Sequence, residues 1–438
     1  MTRGGKRERL HRPSLLLLDS PRSRPDSGRM VSRRIALAAL TGAPLFGMAA
    51  RAAASATAPQ AAVATGFPAR FKMTGTYLNA AYTHPLSLES AAAAQAFLAG
   101  RVDPAGGARA VRNGKALFAR LINAAPEEIA FLPSTSYGES FVVGALGLRT
   151  DPKAKVVTDI LHFDGSLYTY QQIQKQGGAK VVILPMTAEG RIDMNRLEDA
   201  VDDHTRLVAI SLVSMVNGFE HDLKTVCDIA HRKGAYVYAD IIQGAGAVPL
   251  DVKASGVDFA ACSSFKWLQG EFGVGFLYVR ADLLPRLARS EFGYHQAKAM
   301  DYHVLPGDPP GQALFDSAAD DTTAMGRFEV GSIHGGAEAA VTASLTSLLA
   351  YSVARVQADR QPVIERLRQG LGRRYQPLTP PDSTSGIIAF SAPDAPSLKP
   401  RLNAAGITIQ VYDHRFRVSP SVYNTVADAD RLVEVLAG

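Results

Sequence analysis

The sequence predicts an α/β protein in which a large domain, built on a seven-stranded and mainly parallel sheet, is followed by a smaller C-terminal α/β domain. Three observations carry this expectation. From about residue 115, short β-branched runs alternate with segments whose apolar residues recur at three and four spacing, as strand–helix–strand crossovers require. The connections between them are short and carry Gly177-Gly178, Gly190 and Gly234. A polar stretch over 293–327, rich in Gly, Pro, Asp and His and without periodicity, then separates this region from further helices and strands. At 438 residues, 47% hydrophobic and 20% charged, the chain lies outside the compositions of disordered, collagenous and disulfide-stapled proteins.

In chain order, strands are expected at 128–132, 156–158, 180–184, 206–212, 235–239, 259–263 and 275–279, with helices at 167–176, 193–201 and 223–233. Residues 337–355 read as one long Ala/Leu helix. Another helix, strands around 387–390 and 407–411, and a terminal helix complete the chain. The expected organisation is a leader over 1–56, an N-terminal segment over 57–95 packing near the small domain, a large domain over 96–325 and a small domain over 326–438. No repeat of solenoid or propeller length is visible.

The leader has the layout of an export signal. Ser32-Arg33-Arg34-Ile35-Ala36-Leu37 resembles a twin-arginine motif, and Ala54-Ser55-Ala56 offers a small-residue cleavage site, so the mature chain is expected to start near Thr57 in the periplasm. The apolar run after Ile35 is interrupted by Gly42, Pro44 and Gly47, too short and too weak for a membrane span. Residues 1–29 precede a better start at Met30 and read as a non-native extension. Eleven of the 47 Lys/Arg but three of the 41 Asp/Glu lie in residues 1–56, leaving 36 basic against 38 acidic groups in the remainder. The formal charge of +6 therefore belongs to the leader, and neither nucleic acid nor stable membrane association is expected of the mature chain. The two cysteines, Cys227 in an expected helix and Cys262 in an expected strand, read as core residues. The ten histidines form no metal-binding motif, and no G-x-S-x-G elbow is present. Gly273-Val274-Gly275 lacks the context of a dinucleotide fingerprint and reads as a turn entering a strand.

The chemistry concentrates at the ends of two strands. Tyr238-Ala239-Asp240 places a carboxylate at the end of an apolar strand, with Gln243 just beyond, and Ser263-Ser264-Phe265-Lys266 ends another. Open α/β sheets bind ligands outside the carboxyl ends of their strands. An amine and a carboxylate aimed into one crevice are what pyridoxal phosphate needs: a lysine for the Schiff base, and an acid to keep the pyridine nitrogen protonated. Ser134-Thr135-Ser136 follows a strand and opens a helix, and Ser136 with Glu139 has capping-box spacing, so free N–H groups are expected there for an anion.

On these residues the chain, from roughly Tyr77 onward, resembles the class V aminotransferase family of fold-type I pyridoxal phosphate enzymes, which includes cysteine desulfurases and isopenicillin N epimerase-like proteins. The resemblance implies Lys266 as the Schiff-base lysine, Asp240 as the pyridinium partner and Gln243 as donor to the ring hydroxyl. It implies phosphate contacts from Ser263 and from one or more of Ser134, Thr135 and Ser136. Phe163 aligns best with the ring that stacks on the cofactor, with His162 as competitor. Ser214 and Asn217 are the polar candidates of the next loop. Arg417 matches the arginine that holds the substrate carboxylate, with Arg415 as alternative, and Asn79 is assigned to the substrate with it. Ser332 stands where the family reaches the partner subunit's phosphate, which implies a homodimer.

The activity implied is attack on an amino-acid or peptidyl amino-acid substrate through an external aldimine and a Cα carbanion, ending in transamination or epimerisation. Phe265 stands where desulfurases often carry histidine, and 406–417 holds no cysteine to carry a persulfide. A cysteine-independent C–S lyase is the alternative. A non-catalytic exported binding protein on the same fold is the alternative of a different class.

Overall fold

The computed structural model describes residues 67–103, 113–298 and 319–437. The leader, its export motif and most of the aperiodic 293–327 stretch fall outside the described residues. A short strand, β1 (Thr76–Tyr77), precedes the main sheet. That sheet comprises β2 (Ile129–Leu132), β3 (Lys155–Asp159), β4 (Lys180–Leu184), β5 (Thr205–Ser211), β6 (Tyr236–Asp240), β7 (Phe259–Ser263) and β8 (Gly275–Val279). Its spatial order is β2-β8-β7-β6-β5-β3-β4, and only β8 runs antiparallel to its neighbours. The seven expected strands are all present within a residue or two.

Both faces of the sheet are covered, so successive residues of each strand enter different cores. Ala130 and Leu132, Leu207 and Ala209, Tyr238, Phe259 and Ala261 pack on one face with Tyr170 and Ile173 of the helix Asp164–Lys175. Ile129, Val208 and Ile210, Val237 and Ala239, Ala260 and Cys262 pack on the other, with Val226 and Ile229 of the helix Leu223–His231 and Val341 and Leu345 of the helix Gly335–Tyr351. The two-residue period carries the first face onward to Ser211, Asp240 and Ser263, the last residue of each strand. Sequence order reverses on either side of β3, where doubly wound sheets open their ligand crevice.

The C-terminal region contains β9 (Ile388–Ser391), β10 (Ile407–Thr408), β11 (Gln410–Val411) and β12 (Arg415–Val418). Strands β11, β12 and β9 form an antiparallel sheet, whereas β10 pairs in parallel with β1. The single strand expected at 407–411 is thus divided between two sheets. The Leu78–Ala81 backbone is stitched to Ser419, whose amide donates to Leu78 O and whose Oγ accepts from Ala81 N. The long helix expected over 337–355 ends at Tyr351 instead. Ser352 adopts a positive φ of 77°, its hydroxyl caps the next helix, Val353–Leu371, and the two axes bend by 78°. Two helices rather than one let the Ala/Leu face cover the main sheet while Val363, Ile364 and Leu367 pack against Phe390 and Phe416.

The helix Thr135–Ala145 crosses β2 and β7 at close range because Gly138 has no side chain there. A Cβ on Gly138 would lie 2.7 Å from Leu132 Cδ1 and 2.8 Å from Ala261 Cβ. Gly138→Ala is therefore expected to push the helix off the sheet and destabilise the protein by about 1–3 kcal/mol, the usual range for overpacking. Thermal unfolding checks this, and an unchanged midpoint would show that the contact relaxes freely.

Candidate active site

The strand ends and the helix N-terminus enclose a cavity of about 140 Å³ lined by Ser134, Thr135, Ser136, Glu139, Phe163, Ser166, Ser211, Met215, Asp240, Ile242, Gln243, Ser263, Phe265 and Lys266. Eight of the residues singled out in the sequence meet here: the three hydroxyls of 134–136, Phe163, Asp240, Gln243, Ser263 and Lys266. A wider cleft of about 600 Å³ shares Ser134 and Ser136 with the cavity and reaches Ser332.

One end of the cavity suits an anion. Ser134 is the N-cap of the Thr135–Ala145 helix, in extended conformation, and its side chain accepts no capping bond. Thr135 and Ser263 hold each other: Thr135 N donates to Ser263 Oγ at 2.8 Å, and Ser263 N donates to Thr135 Oγ1 at 2.9 Å. The capping box expected from Ser136 and Glu139 does not form. The helix starts two residues earlier than that spacing requires, and the Glu139 carboxylate turns inward to His162, Ser166 and Tyr170.

The other end carries the amine and the acid. Asp240 is buried, with Oδ1 accepting from Ile242 N at 2.9 Å. Burial pushes its pKa up to about 6 against the pull of His162 and Lys266. Burial likewise brings the Lys266 amine down to about 8, with the Arg417 charge adding to the effect and Asp240 opposing it. Gln243 lies between: Nε2 donates to Ala81 O at 2.9 Å, and Oε1 accepts from Trp267 Nε1 at 2.7 Å. The residue after the lysine is thereby fixed to the N-terminal segment.

Phe163, half-buried at the N-cap of the Asp164–Lys175 helix, lines the cavity. Its competitor His162 does not, being buried with both ring nitrogens engaged. Ser214, expected at the cofactor, serves its own loop: its hydroxyl donates to Leu161 O and accepts from Val216 N. Asn217 is similarly spent on Gly190 O and Phe219 N. Ser211, three residues earlier and at the strand end, takes the cavity position; the two-residue alternation of β5 is the signal that could have found it. Arg417 is buried, donates from Nη1 to Met215 O at 2.8 Å and keeps a buried Nε without a hydrogen-bond partner. Asn79 is buried and forms an isolated parallel β-bridge with Ser419, its Oδ1 also lacking a partner. Arg415 is stacked over Tyr412 with its carbon centre 4.1 Å from the ring centroid. Ser332 is exposed and bonded to Tyr294 Oη at 2.6 Å. Among the described residues no cluster of His, Cys, Asp and Glu could hold a metal ion.

An uncapped helix N-terminus, an amine brought near neutrality and a buried carboxylate in one cavity fit the phosphate, aldehyde and ring nitrogen of pyridoxal phosphate. The fold is that of the fold-type I pyridoxal phosphate enzymes. Residues 105–432 match the family described as Aminotransferase class-V, and the chain belongs to it. Pyridoxal 5′-phosphate is its cofactor. The chain is 27% identical to a cysteine desulfurase of Haloferax volcanii over 331 residues, 71% of this chain and 74% of that one. It is 28% identical to a cysteine desulfurase of Klebsiella pneumoniae over 403 residues, 87% and 90% of the two chains. The structure of cysteine desulfurase CsdA from Escherichia coli superposes with a TM-score of 0.75 at 23% identity, covering 85% of this chain and 96% of that one. The cystine C–S lyase C-DES, in complex with cysteine persulfide, gives a TM-score of 0.70 at 20% identity, covering 83% and 97%.

Asp240 makes the pH dependence of the cofactor-free protein testable. Its folded pKa, about 6 against an ordinary 3.8, is raised. The contribution to stability is thus fully present below the unfolded value and is lost as pH rises through 6. Asp240→Asn is expected to stabilise the cofactor-free protein by roughly 2–3 kcal/mol above pH 6, with little gain near pH 4, while weakening cofactor retention. Thermal melts at the two pH values check this, and an equal shift at both would contradict it.

Proposed function

We propose that this protein moves a proton at the Cα of an amino acid, free or at the end of a peptide, as a transaminase or epimerase does. The observation that carries the reading is the half-buried Lys266 amine, brought down to about 8 in a cavity it shares with Asp240 and within electrostatic reach of Arg417. When bound, pyridoxal phosphate supplies an electron-withdrawing ring that acidifies the substrate Cα–H. Lys266 Nζ would hold the cofactor aldehyde and would be the base that takes and returns the substrate Cα proton. A pKa near 8 leaves an appreciable fraction of the amine unprotonated at neutral pH. Asp240 holds the proton on the ring nitrogen. The Thr135–Ser263 pair and the open helix N-terminus anchor the phosphate. Arg417, with one nitrogen fixed to Met215 O and Nε unpartnered, grips the substrate carboxylate and orients the Cα–H bond.

A second reading, a C–S lyase, is favoured by the desulfurase relatives. It must work without an enzyme persulfide. The chain has two cysteines, both buried; Cys227 is pushed up to about 12 and Cys262 well above its ordinary value, in each case by burial. Neither is a reactive thiolate.

Single-turnover spectra of the holoenzyme with candidate amino acids test these readings. Keto acid with loss of the lysine-linked chromophore supports transamination, inverted enantiomer supports epimerisation, and sulfide moves the assignment to the lyase. Lys266→Ala is expected to abolish the visible chromophore and lower turnover by about 10²–10⁴-fold. A coloured, active Lys266→Ala protein would sink the assignment.

We further infer export by the twin-arginine route, supported by Arg33-Arg34 and the Ala54-Ser55-Ala56 site, and a homodimer, supported by Ser332 in the wide cleft beside the cavity. Cell fractionation with Arg33→Lys/Arg34→Lys is expected to leave the protein in the cytoplasm. Sedimentation of the mature chain is expected at twice the monomer mass.

A further inference from the structure

One wall of the cavity, formed by Glu139, Ser166 and Ser211, is backed by His162 and Tyr170, and none of the roles above uses this buried set. His162 has Nδ1 2.8 Å from Ser211 Oγ and Nε2 3.1 Å from Glu139 Oε1. Glu139 also accepts from Tyr170 Oη at 2.7 Å and from Ser166 Oγ. All five residues are buried. The set touches the cofactor machinery at two points. Ser211 is the cross-strand neighbour of Asp240, and Glu139 lies one helical turn after Thr135 on the same helix. A carboxylate against one imidazole nitrogen favours the doubly protonated cation against the opposing effect of burial, and a hydroxyl at the other nitrogen can accept its proton.

We propose that Glu139 and His162 are positioning residues that act through Asp240: the imidazolium, clamped by Glu139 and Ser211, is the counter-charge that keeps the Asp240 carboxylate ionised inside the cavity. The proposal rests on the pyridoxal phosphate reading of the site. Against the burial that raises Asp240, the largest opposing influence is His162, ahead of the Ile242 amide and Lys266. Burial works against a charged His162, but the charge and hydrogen bond of Glu139, joined by Asp240 and Asp159, hold it above its ordinary value.

The neighbouring charges leave this role to His162. The helix Thr135–Ala145 contributes Glu139, β3 and its loop Asp159 and His162, the helix Asp164–Lys175 Tyr170, β6 Tyr238, and β7 with its loop Cys262 and Lys266. Asp159 is paired with His221 at 3.2 Å. Tyr170, Tyr238 and Cys262 are all pushed further up by burial and stay neutral. Lys266 is the second cation of the set, and its pull on Asp240 ranks behind those of His162 and the Ile242 amide. His162 is thus the cation that bears most on Asp240.

The test is equilibrium binding of pyridoxal phosphate to reversibly resolved enzyme across about pH 5 to 9, for the wild type, His162→Gln and the Glu139→Gln/His162→Gln pair. Binding by the wild type is expected to weaken as pH falls through the Asp240 titration. In His162→Gln, where Glu139 faces Asp240 uncompensated, the midpoint is expected to rise by about one pH unit or more. In the double variant, neutral at both positions, it returns toward the wild type. A structural role would weaken binding at every pH without moving the midpoint, and that result, or a double variant shifted further than the single, overturns the proposal. If His162→Gln does not fold, ¹⁵N-histidine spectra of the unsubstituted holoenzyme decide: a slowly exchanging imidazolium at pH 8 that is lost in Glu139→Gln supports the proposal, and its absence overturns it. Wild-type protein that binds no pyridoxal phosphate at any pH would instead overturn the reading of the site as a whole.

Discussion

A carboxylate held out of water stays charged only if something nearby compensates it, and Asp240 is buried at the floor of the cavity. The site is organised around that constraint. Strand β6 delivers the acid, the loop after β7 delivers a lysine whose own burial weakens its charge, and helix dipole and backbone amides supply partial positive charge without a side chain to solvate. The cavity is charged, yet no exposed ion pair determines it. Surface pairs such as Lys224–Asp228 lie in water and contribute little by comparison.

The sheet makes the convergence possible. Leu207, Ala209 and Ser211 share one face of β5, as Tyr238 and Asp240 share that of β6 and Ala261 and Ser263 that of β7. Each strand changes from apolar to polar at its last residue, so three functional side chains emerge together where the sheet meets the N-terminus of the Thr135–Ala145 helix. Pairing of β5 with β6 aligns Ser211 with Asp240, and a one-residue slip would turn both toward the opposite core.

Much of this was legible in the chain itself. Apolar runs ending in Asp or Ser-Ser-x-Lys marked the strand ends, and the residue types there, together with the family resemblance, pointed to pyridoxal phosphate. What escaped was whatever depended on direction rather than identity. Glu139 had the spacing of a capping residue, but a helix beginning at Thr135 instead turns it into the core. Ser214 and Ser211 are both serines near the end of β5, and only the pleat distinguishes them. The break at Ser352 was hidden because helical periodicity continues on both sides of it, in two faces that pack against different cores. The division of 407–411 depends on β1, a strand of two residues too short to leave a pattern.

The stitching of Leu78–Ala81 to Ser419, and of Ala81 O to Gln243, bears on the order of events during synthesis. Segments more than three hundred residues apart must meet before Gln243 and Trp267 are secured from the N-terminal side. A ribosome-bound chain can assemble β3 to β8 as soon as they emerge, but the clasp awaits Ser419. The pocket wall around Gln243 is accordingly completed by a late-synthesised segment, and a change at Ser419 is felt some three hundred residues earlier in the polypeptide.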